Sequence, residues 1–423
     1  MNDAVQGSSG LGSVDSTGMD TGTHSGHPYF APGWKPTHDP AGRNKSLLAQ
    51  VYEHTVREVE EILKSSELDS FKAPEWTAIT FQRLVPKGPC SYAPKSKRLV
   101  EAFPKVEAVV CKLFTVGAMH HLKDKHKETH CAWFDLSVTA DTMQAFLANA
   151  EAKGRTVLSG DVSEYDATLP PQVLLDVGYA MSRWFRGKQK LFKALVYSLV
   201  MKTNLITPTK FYRAQPSSLK SGSGLTNMLG TIVNLAIQWY GKEAGYYDLD
   251  RNAALGDDFI QDGDGVSPEA NARCFDDFGM EANPSKQFAK RNALHYLQHT
   301  HFLGRSGGIY SPFRTLIHVL GLEALPSGRA QATKYYYIVR ALSQLENSVF
   351  SPSFEKLVKF VQQGDKLQLG KDMSVEDLVS QSGTAGKAIF DETKVAVWKK
   401  HGDTSFESWP VNGVVRGERL PTD

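Results

Sequence analysis

The stretch "NAALGDDFIQDGDG", residues 252–265, sets Asp257 and Asp258 side by side in an otherwise apolar run, with Ala253, Ala254 and Leu255 before them and Phe259 and Ile260 after. Burying a carboxylate is costly unless opposite charge or hydrogen bonds compensate, and adjacent carboxylates also repel. The pattern reads as two short strands, 253–255 and 259–261, around a tight Gly-Asp-Asp turn. Upstream, "RTVLSGDV" (155–162) reads as a strand ending in a carboxylate, and "DVSEYD" carries Asp161 and Asp166 with Glu164 between them. If Asp161 ends a strand beside the hairpin, its carboxylate meets Asp257 and Asp258. Two Mg2+ ions resolve the repulsion. They are hard cations that take oxygen ligands and leave positions open for phosphate, and a pair ~3.5–4 Å apart serves an in-line phosphoryl displacement. Gly256 permits an unusual turn and close approach of a substrate strand. Taken alone, Gly-Asp-Asp also fits a solvated β-turn. A calcium loop is the other alternative, but the EF-hand template fails: counted from Asp262, its fifth position is Val266 and its glycine position is Ser267.

The 423 residues are 41% hydrophobic and 22% charged, as in an ordinary soluble globular protein. A length prior of ~150 residues per domain gives about three domains. The formal charge is only +2, so nucleic-acid binding would rest on local clusters of Lys and Arg. Cys90, Cys111, Cys131 and Cys274 form no CxxC, which suits a reduced, intracellular protein without a structural zinc framework. No apolar run is long enough to span a bilayer, and there is no basic-then-apolar signal peptide. Residues 1–45 are rich in Gly, Ser, Thr and Pro and read as a flexible arm, or one that orders against a partner. From Ser46 the pattern turns helical. Residues 172–201 read as helix, 211–215 as strand, 221–224 as a glycine-rich loop and 225–240 as a buried helix. "ATKYYYIVRALSQLENSVF" and "FEKLVKFVQQ" suggest two further helices. In "HHLKDKHKETHC", His126 and His130 stand at i and i+4 beside Cys131, with His120 and His121 close by. A zinc site is one reading; the Lys-rich context suits a wet or RNA-facing surface better.

The order of these segments resembles the viral RNA-dependent RNA polymerases. "DVSEYD" resembles that family's motif A, "SGSGLTNMLGTIVN" its motif B and "LGDDF" its motif C, with 60 residues from Asp161 to Ser221 and 36 from Ser221 to Asp257. "NPSKQ" (283–287) resembles motif D, "FLGR" (302–305) motif E and "PKSKRLVEAFPKVEAVV" (94–110) the basic motif F. The "KRLVEAFP" and "FLGR" forms look most like the partitivirus and picobirnavirus type. Reverse transcriptases usually carry an aromatic and a variable residue before the paired Asp, whereas this chain has Leu255-Gly256.

The resemblance implies an α+β right-hand polymerase (fingers, palm, thumb) with an antiparallel palm sheet backed by helices. Fingers are expected from 46–160 with an insertion at 170–215, palm from 161–169 and 216–305, and thumb from 306–423. The implied reaction is templated addition of NTPs to an RNA 3′-hydroxyl. Asp161 and Asp257 would hold two Mg2+ ions, with Mn2+ as a substitute and Asp258 in support. Asp166, with Ser221, Thr226 and Asn227, would sense the ribose 2′-hydroxyl that distinguishes RNA from DNA. Many positive-strand relatives carry Asn four residues after the motif B Thr, where this chain has Gly230; Asn227 then takes the role, or is a helix-start residue satisfying local backbone. Gly222 and Gly224 would let the loop bend around the template base. Lys95, Lys97 and Arg98 read as a basic cluster just before an apolar strand and would hold the triphosphate. Lys286 would protonate the leaving pyrophosphate as a general acid. Gly256 and Arg305 would face RNA, the alternative for Arg305 being a surface salt bridge. The implied partners are template and nascent RNA, NTPs and a viral capsid protein, in the host cytoplasm or the virion. The competing readings are a non-catalytic, polymerase-like RNA-binding or virion structural protein, and a reverse transcriptase.

Overall fold

A computed structural model describes residues 47–85, 96–125, 136–305, 307–320, 334–383, 386, 387, 389, 390 and 409–417. The N-terminal arm, Lys95, and the His126, His130 and Cys131 of the zinc reading lie outside the described residues. Those described cluster into two compact units. One draws on Met1–Arg83, Arg98–Ala132 and Leu158–Ala289, the other on Leu84–Lys97, Trp133–Val157 and Lys290–Asp423.

In the first unit, Val51, Thr55 and Val59 recur every four residues and are buried, which gives α1 (Leu47–Ser65) its apolar stripe. Strands β1 (Trp76–Val85) and β2 (Ser96–Ala102) precede α2 (Lys105–Lys125). The strand therefore includes Lys97 and Arg98 rather than following them; their side chains are outside the described set. After β3 (Val157–Gly160), the single helix expected over 172–201 divides into α3 (Pro171–Met181) and α4 (Gln189–Met201), because Gly187 takes a φ of 76° between them. β4 (Thr203–Ile206) pairs parallel to β1 and antiparallel to β5, giving a sheet of order β2-β1-β4-β5. β5 is only Phe211–Tyr212, since two residues alone find partners on β4.

Helix α5 (Thr226–Glu243) leads into the hairpin β6 (Asp248–Leu255) and β7 (Asp258–Asp264), then α6 (Pro268–Asp276) and β8 (Phe288–Lys290). The sheet runs β6-β7-β3-β8, with β7 antiparallel to both its neighbours. An interior strand is covered on both faces, and Phe259, Ile260, Gln261 and Asp262 are all fully buried. The hairpin strands are longer than expected because pairing continues through buried polar residues: Asn252 stands opposite Gln261. A hydrophobic pattern alone does not register such pairs.

The second unit contains the helix Leu136–Ala152 and a three-stranded antiparallel sheet, β9 (Ala293–Tyr296), β10 (His299–Phe302) and β11 (Ile309–Tyr310). Its helical core is built on α7 (Lys334–Glu346) and α8 (Phe354–Gly364), through Val339, Leu342, Leu345 and Val358. Glu346 lies inside this core. Its carboxyl accepts the Val411 N–H at 3.2 Å, and its Oε1 has no partner among the described residues. Burial pushes its pKa from the usual carboxylate range to about 8, against the pull of that one N–H. A raised acid pKa means that the folded state holds the proton more tightly. The stabilisation is complete below the unfolded value of 4.5 and is lost as pH rises toward 8. The expected result is a parent unfolding free energy that falls between pH 5 and 8 more steeply than that of Glu346→Gln, by up to ~1.4 kcal/mol per pH unit, with a melting temperature that falls in step. Parallel melting curves of the two proteins against pH would sink this account.

Candidate active site

Gly160 pairs with Phe259, so Asp161 leaves β3 opposite Asp258 at the open end of the sheet. Leu255 pairs with Asp258, which leaves Gly256 and Asp257 as a two-residue turn. Gly256 has a φ of 62°, the left-handed value that a tight hairpin asks of its first central residue. The turn thus sets Asp257 beside Asp258, and the sheet register brings Asp161 opposite Asp258. Desolvation pushes Asp258 up to about 7, with further contributions from Asp257 and then Asp161. The charges of Asp257 and Asp161 both oppose ionisation of Asp258.

The turn is held from below by a polar stripe on α5. Thr231, Asn234 and Gln238 are fully buried in a helix that is otherwise apolar on that side. Thr231 Oγ1 accepts the Gly256 N–H at 2.9 Å and donates to Asn227 Oδ1 at 3.3 Å. Asn234 Nδ2 donates to the carbonyls of Gly256 at 2.8 Å and Asp257 at 3.3 Å, and Gln238 Nε2 orients it by donating to Asn234 Oδ1 at 2.8 Å. None of Thr231, Asn234 and Gln238 was singled out in the sequence. The available signal was three hydrogen-bonding side chains at i, i+3 and i+7 inside an apolar helix, since buried polar groups demand partners.

Gly230 explains the missing Asn of motif B. A Cβ there would lie 2.9 Å from Leu219 Cδ2 and 3.5 Å from Tyr165 Cε1, and its carbonyl accepts the Tyr165 hydroxyl at 2.6 Å. No larger side chain fits without displacement. Burial, with Asp257 adding to it, holds the Tyr165 phenol well above its ordinary pKa, so it remains a donor.

The 221–224 loop is gripped from outside by Glu101. Glu101 Oε2 accepts the Ser221 N–H at 2.9 Å, and its Oε1 stands 3.9 Å from Lys220 Nζ. Burial raises the Glu101 pKa. Lys220 and the Ser221 N–H lower it, and Asp166 raises it again, which places the Asp166 charge within reach of this cluster. Ser221 Oγ donates to Leu99 O at 3.3 Å, and Thr226 Oγ1 donates to Lys220 O. Both hydroxyls spend their proton inside the protein and keep acceptor capacity for a ligand. A Cβ on Gly222 would lie 1.6 Å from Glu101 O, so only glycine lets the loop lie this close.

Two expected residues are not brought to this cluster by any contact among the described residues. Lys286 is exposed on the short turn Pro284–Lys286, whose Asn283 Oδ1 caps it by accepting the Ser285 N–H at 2.9 Å. Arg305 belongs to the second unit, with its guanidinium 5.7 Å from the Phe302 ring centre. The "FLGR" turn is bracketed by Gln144, which donates to Phe302 O and accepts the Gly304 N–H, each at 2.9 Å.

Among the described residues, no three His, Cys, Asp or Glu side chains form a ready metal cage. Magnesium does not require one: it keeps several waters and takes one or two carboxylates plus substrate phosphates. The converging donors are carboxylates only, and the raised Asp258 pKa reflects burial first and repulsion from Asp257 and Asp161 second, both of which a hard divalent cation would offset. The donor set fits such an ion.

The fold is shared with solved polymerases. A human picobirnavirus RNA-dependent RNA polymerase, solved as an insertion-loop deletion mutant, matches with a TM-score of 0.68 at 19% identity, over 81% of this chain and 65% of that one. The 3Dpol RNA-dependent RNA polymerase of a sicinivirus matches with a TM-score of 0.58 at 15% identity, over 92% of this chain and 80% of that one. The architecture is accordingly the α+β right-hand polymerase fold. A family model described as viral RNA-dependent RNA polymerase matches residues 6–315, and the chain belongs to that family. A potential RNA-dependent RNA polymerase of a human picobirnavirus (strain Human/Thailand/Hy005102/-) is 29% identical over 186 residues, 40% of this chain; the match spans about a third of that relative, 32% of its length.

Proposed function

We propose that this chain copies an RNA template, adding nucleotides from NTPs to an RNA 3′-hydroxyl with release of pyrophosphate. The observation that carries the reading is the convergence of Asp161, Asp257 and Asp258 at one end of the β6-β7-β3-β8 sheet. Asp161 and Asp257, with Asp258 in support, are the residues that would hold two Mg2+ ions. When bound, these supply charge neutralisation at the attacking and leaving oxygens. The protein's own part is positioning and electrostatics. The α5 stripe fixes the turn, the 221–224 loop presents Ser221, and the start of α5 presents Thr226. Lys97 and Arg98, with Lys95, neutralise the triphosphate, and Lys286 donates a proton to pyrophosphate. Gly256 and Arg305 face the RNA. The enzyme would act in the host cytoplasm or the virion, with a capsid protein as a further partner.

The test is Mg2+-dependent incorporation of labelled ribonucleotide on a short RNA, with and without a primer. No incorporation under either condition favours the non-catalytic reading. Preference for deoxynucleotides favours a reverse transcriptase.

Asp166 follows Asp161 by five residues, past a left-handed bend at Glu164 (φ 51°), and lies beside the Glu101–Lys220–Ser221 cluster. Asp166→Ala should loosen sugar choice more than it weakens metal dependence. The quantity to measure is the ratio of ribo- to deoxynucleotide incorporation efficiencies. If both efficiencies fall together and the ratio holds, Asp166 does not read the ribose.

A further inference from the structure

The Glu107 carboxyl sits in the first turn of α2, 1% exposed and far along the chain from the 221–224 loop. It nevertheless makes its hydrogen bonds to that loop. Ser223 Oγ donates to Oε1, the Gly224 N–H donates to Oε2 at 3.2 Å, and the Cys111 thiol donates to Oε1 at 3.2 Å. Ser223 in turn accepts the Leu225 N–H at 3.1 Å, which ties the contact to the start of α5. The surroundings are equally specific. A Cβ on Gly224 would lie 2.7 Å from Cys111 Cβ, so the loop rests directly on α2. Burying a carboxyl on this scale is costly unless its lone pairs are satisfied, and three donors converge on it. Two of the three come from the loop, so loop position and carboxyl satisfaction stand or fall together.

We propose that Glu107 is a positioning residue, a buried latch that holds the 221–224 loop in the conformation presenting Ser221 and Thr226 to the nucleotide and template. Ser221 and Thr226 flank the latched pair on either side, so a loop released from Glu107 moves both. Glu107 itself touches no substrate in this reading. Its consequence for nucleotide addition rests on the polymerase function proposed above, whereas the latch can be read without substrate.

The experiment compares the full chain with Glu107→Gln and Ser223→Ala. Glutamine keeps the shape but replaces one acceptor oxygen with a donor that faces donors. Amide hydrogen exchange is followed by mass spectrometry across residues 219–226 and, as an internal reference, across 252–262. Leaving buried hydrogen-bonding groups unsatisfied costs enough that exchange in 219–226 should speed by ~10-fold or more, while 252–262 keeps the parent rate. The double variant should show less than the product of the single effects, because both substitutions break one contact. In the incorporation assay, both variants should raise the apparent nucleotide KM more than they lower kcat. Unchanged exchange in 219–226, or acceleration spread equally over 252–262, would overturn the latch. If Glu107→Gln does not fold, Ser223→Ala decides alone, since it leaves the carboxyl with Gly224 and Cys111. An inactive parent with accelerated local exchange in the variants would sink the polymerase reading and leave the latch standing. Accelerated exchange with unaltered kinetics in an active enzyme would overturn the positioning role.

Discussion

Asp257→Asn should abolish nucleotide addition and leave the fold intact. The Asp257 charge is close enough to Asp258 and Tyr165 to raise the pKa of both. Removing it takes away a proposed metal ligand and also relieves a repulsion that the metal-free protein has to bear. The two consequences separate in two measurements. Incorporation should drop by at least ~10²–10³-fold, the scale for losing one preorganised electrostatic group. The melting temperature without Mg2+ should stay level or rise, and the upward shift that Mg2+ causes in the parent should shrink. Near-normal turnover at saturating Mg2+ would sink the ligand assignment. A lower melting temperature would instead mean that the Asp257 side chain holds the turn. The backbone of that turn is already held by Asn234 and Thr231.

Lys286→Leu should slow single-turnover addition by ~10²–10⁴-fold, the usual cost of losing a general acid. Apparent nucleotide affinity should change less. Lys286 is exposed on a turn that Asn283 caps, so the substitution removes little packing and should barely move the melting temperature. Lys286→His should retain more activity than Leu, because imidazolium still donates a proton. Its rate should fall as pH rises through the imidazole pKa. If Lys286 only attracts the triphosphate, Lys286→Arg behaves like the parent and the Leu variant recovers at high nucleotide concentration. Full recovery at saturation would therefore remove the acid role.

The hairpin that carries Asp257 and Asp258 was legible because it combines a local turn signal with an apolar run interrupted at Gly256. The ordering of segments carrying Asp161, Ser221 and Asp257 pointed to the family with equal clarity. The parts that were not legible share a physical cause: they depend on contacts between segments far apart in the chain. Glu101 and Glu107 sit in a stretch that reads as a basic cluster just before an apolar strand, and nothing local shows that their partners lie at 220–224. Thr231, Asn234 and Gln238 are hidden in a segment whose apolar residues already explain a buried helix. Residues 133–157 cluster with 290–423 through contacts such as Gln144 with the Phe302–Gly304 turn, which no periodicity reveals. The break at Gly187 was the more readable omission, since a lone glycine between two helical patterns is a boundary signal.

The polar stripe on α5 also governs how this region tolerates change in length. Thr231 and Asn234 reach the turn, and Asn227 and Gln238 reach them, only because a helix advances ~100° per residue, so that spacings of four, three and four return to nearly one direction. A substitution at an intervening position alters one side chain. A single deletion between Asn227 and Asn234 rotates everything beyond it by about 100°, carrying one end of the stripe away from Gly256 while the other stays in register. The 226–238 segment is therefore a fixed-pitch ruler between the 221–224 loop and the carboxylate turn: the letters between the stripe residues can vary, but the residue count cannot.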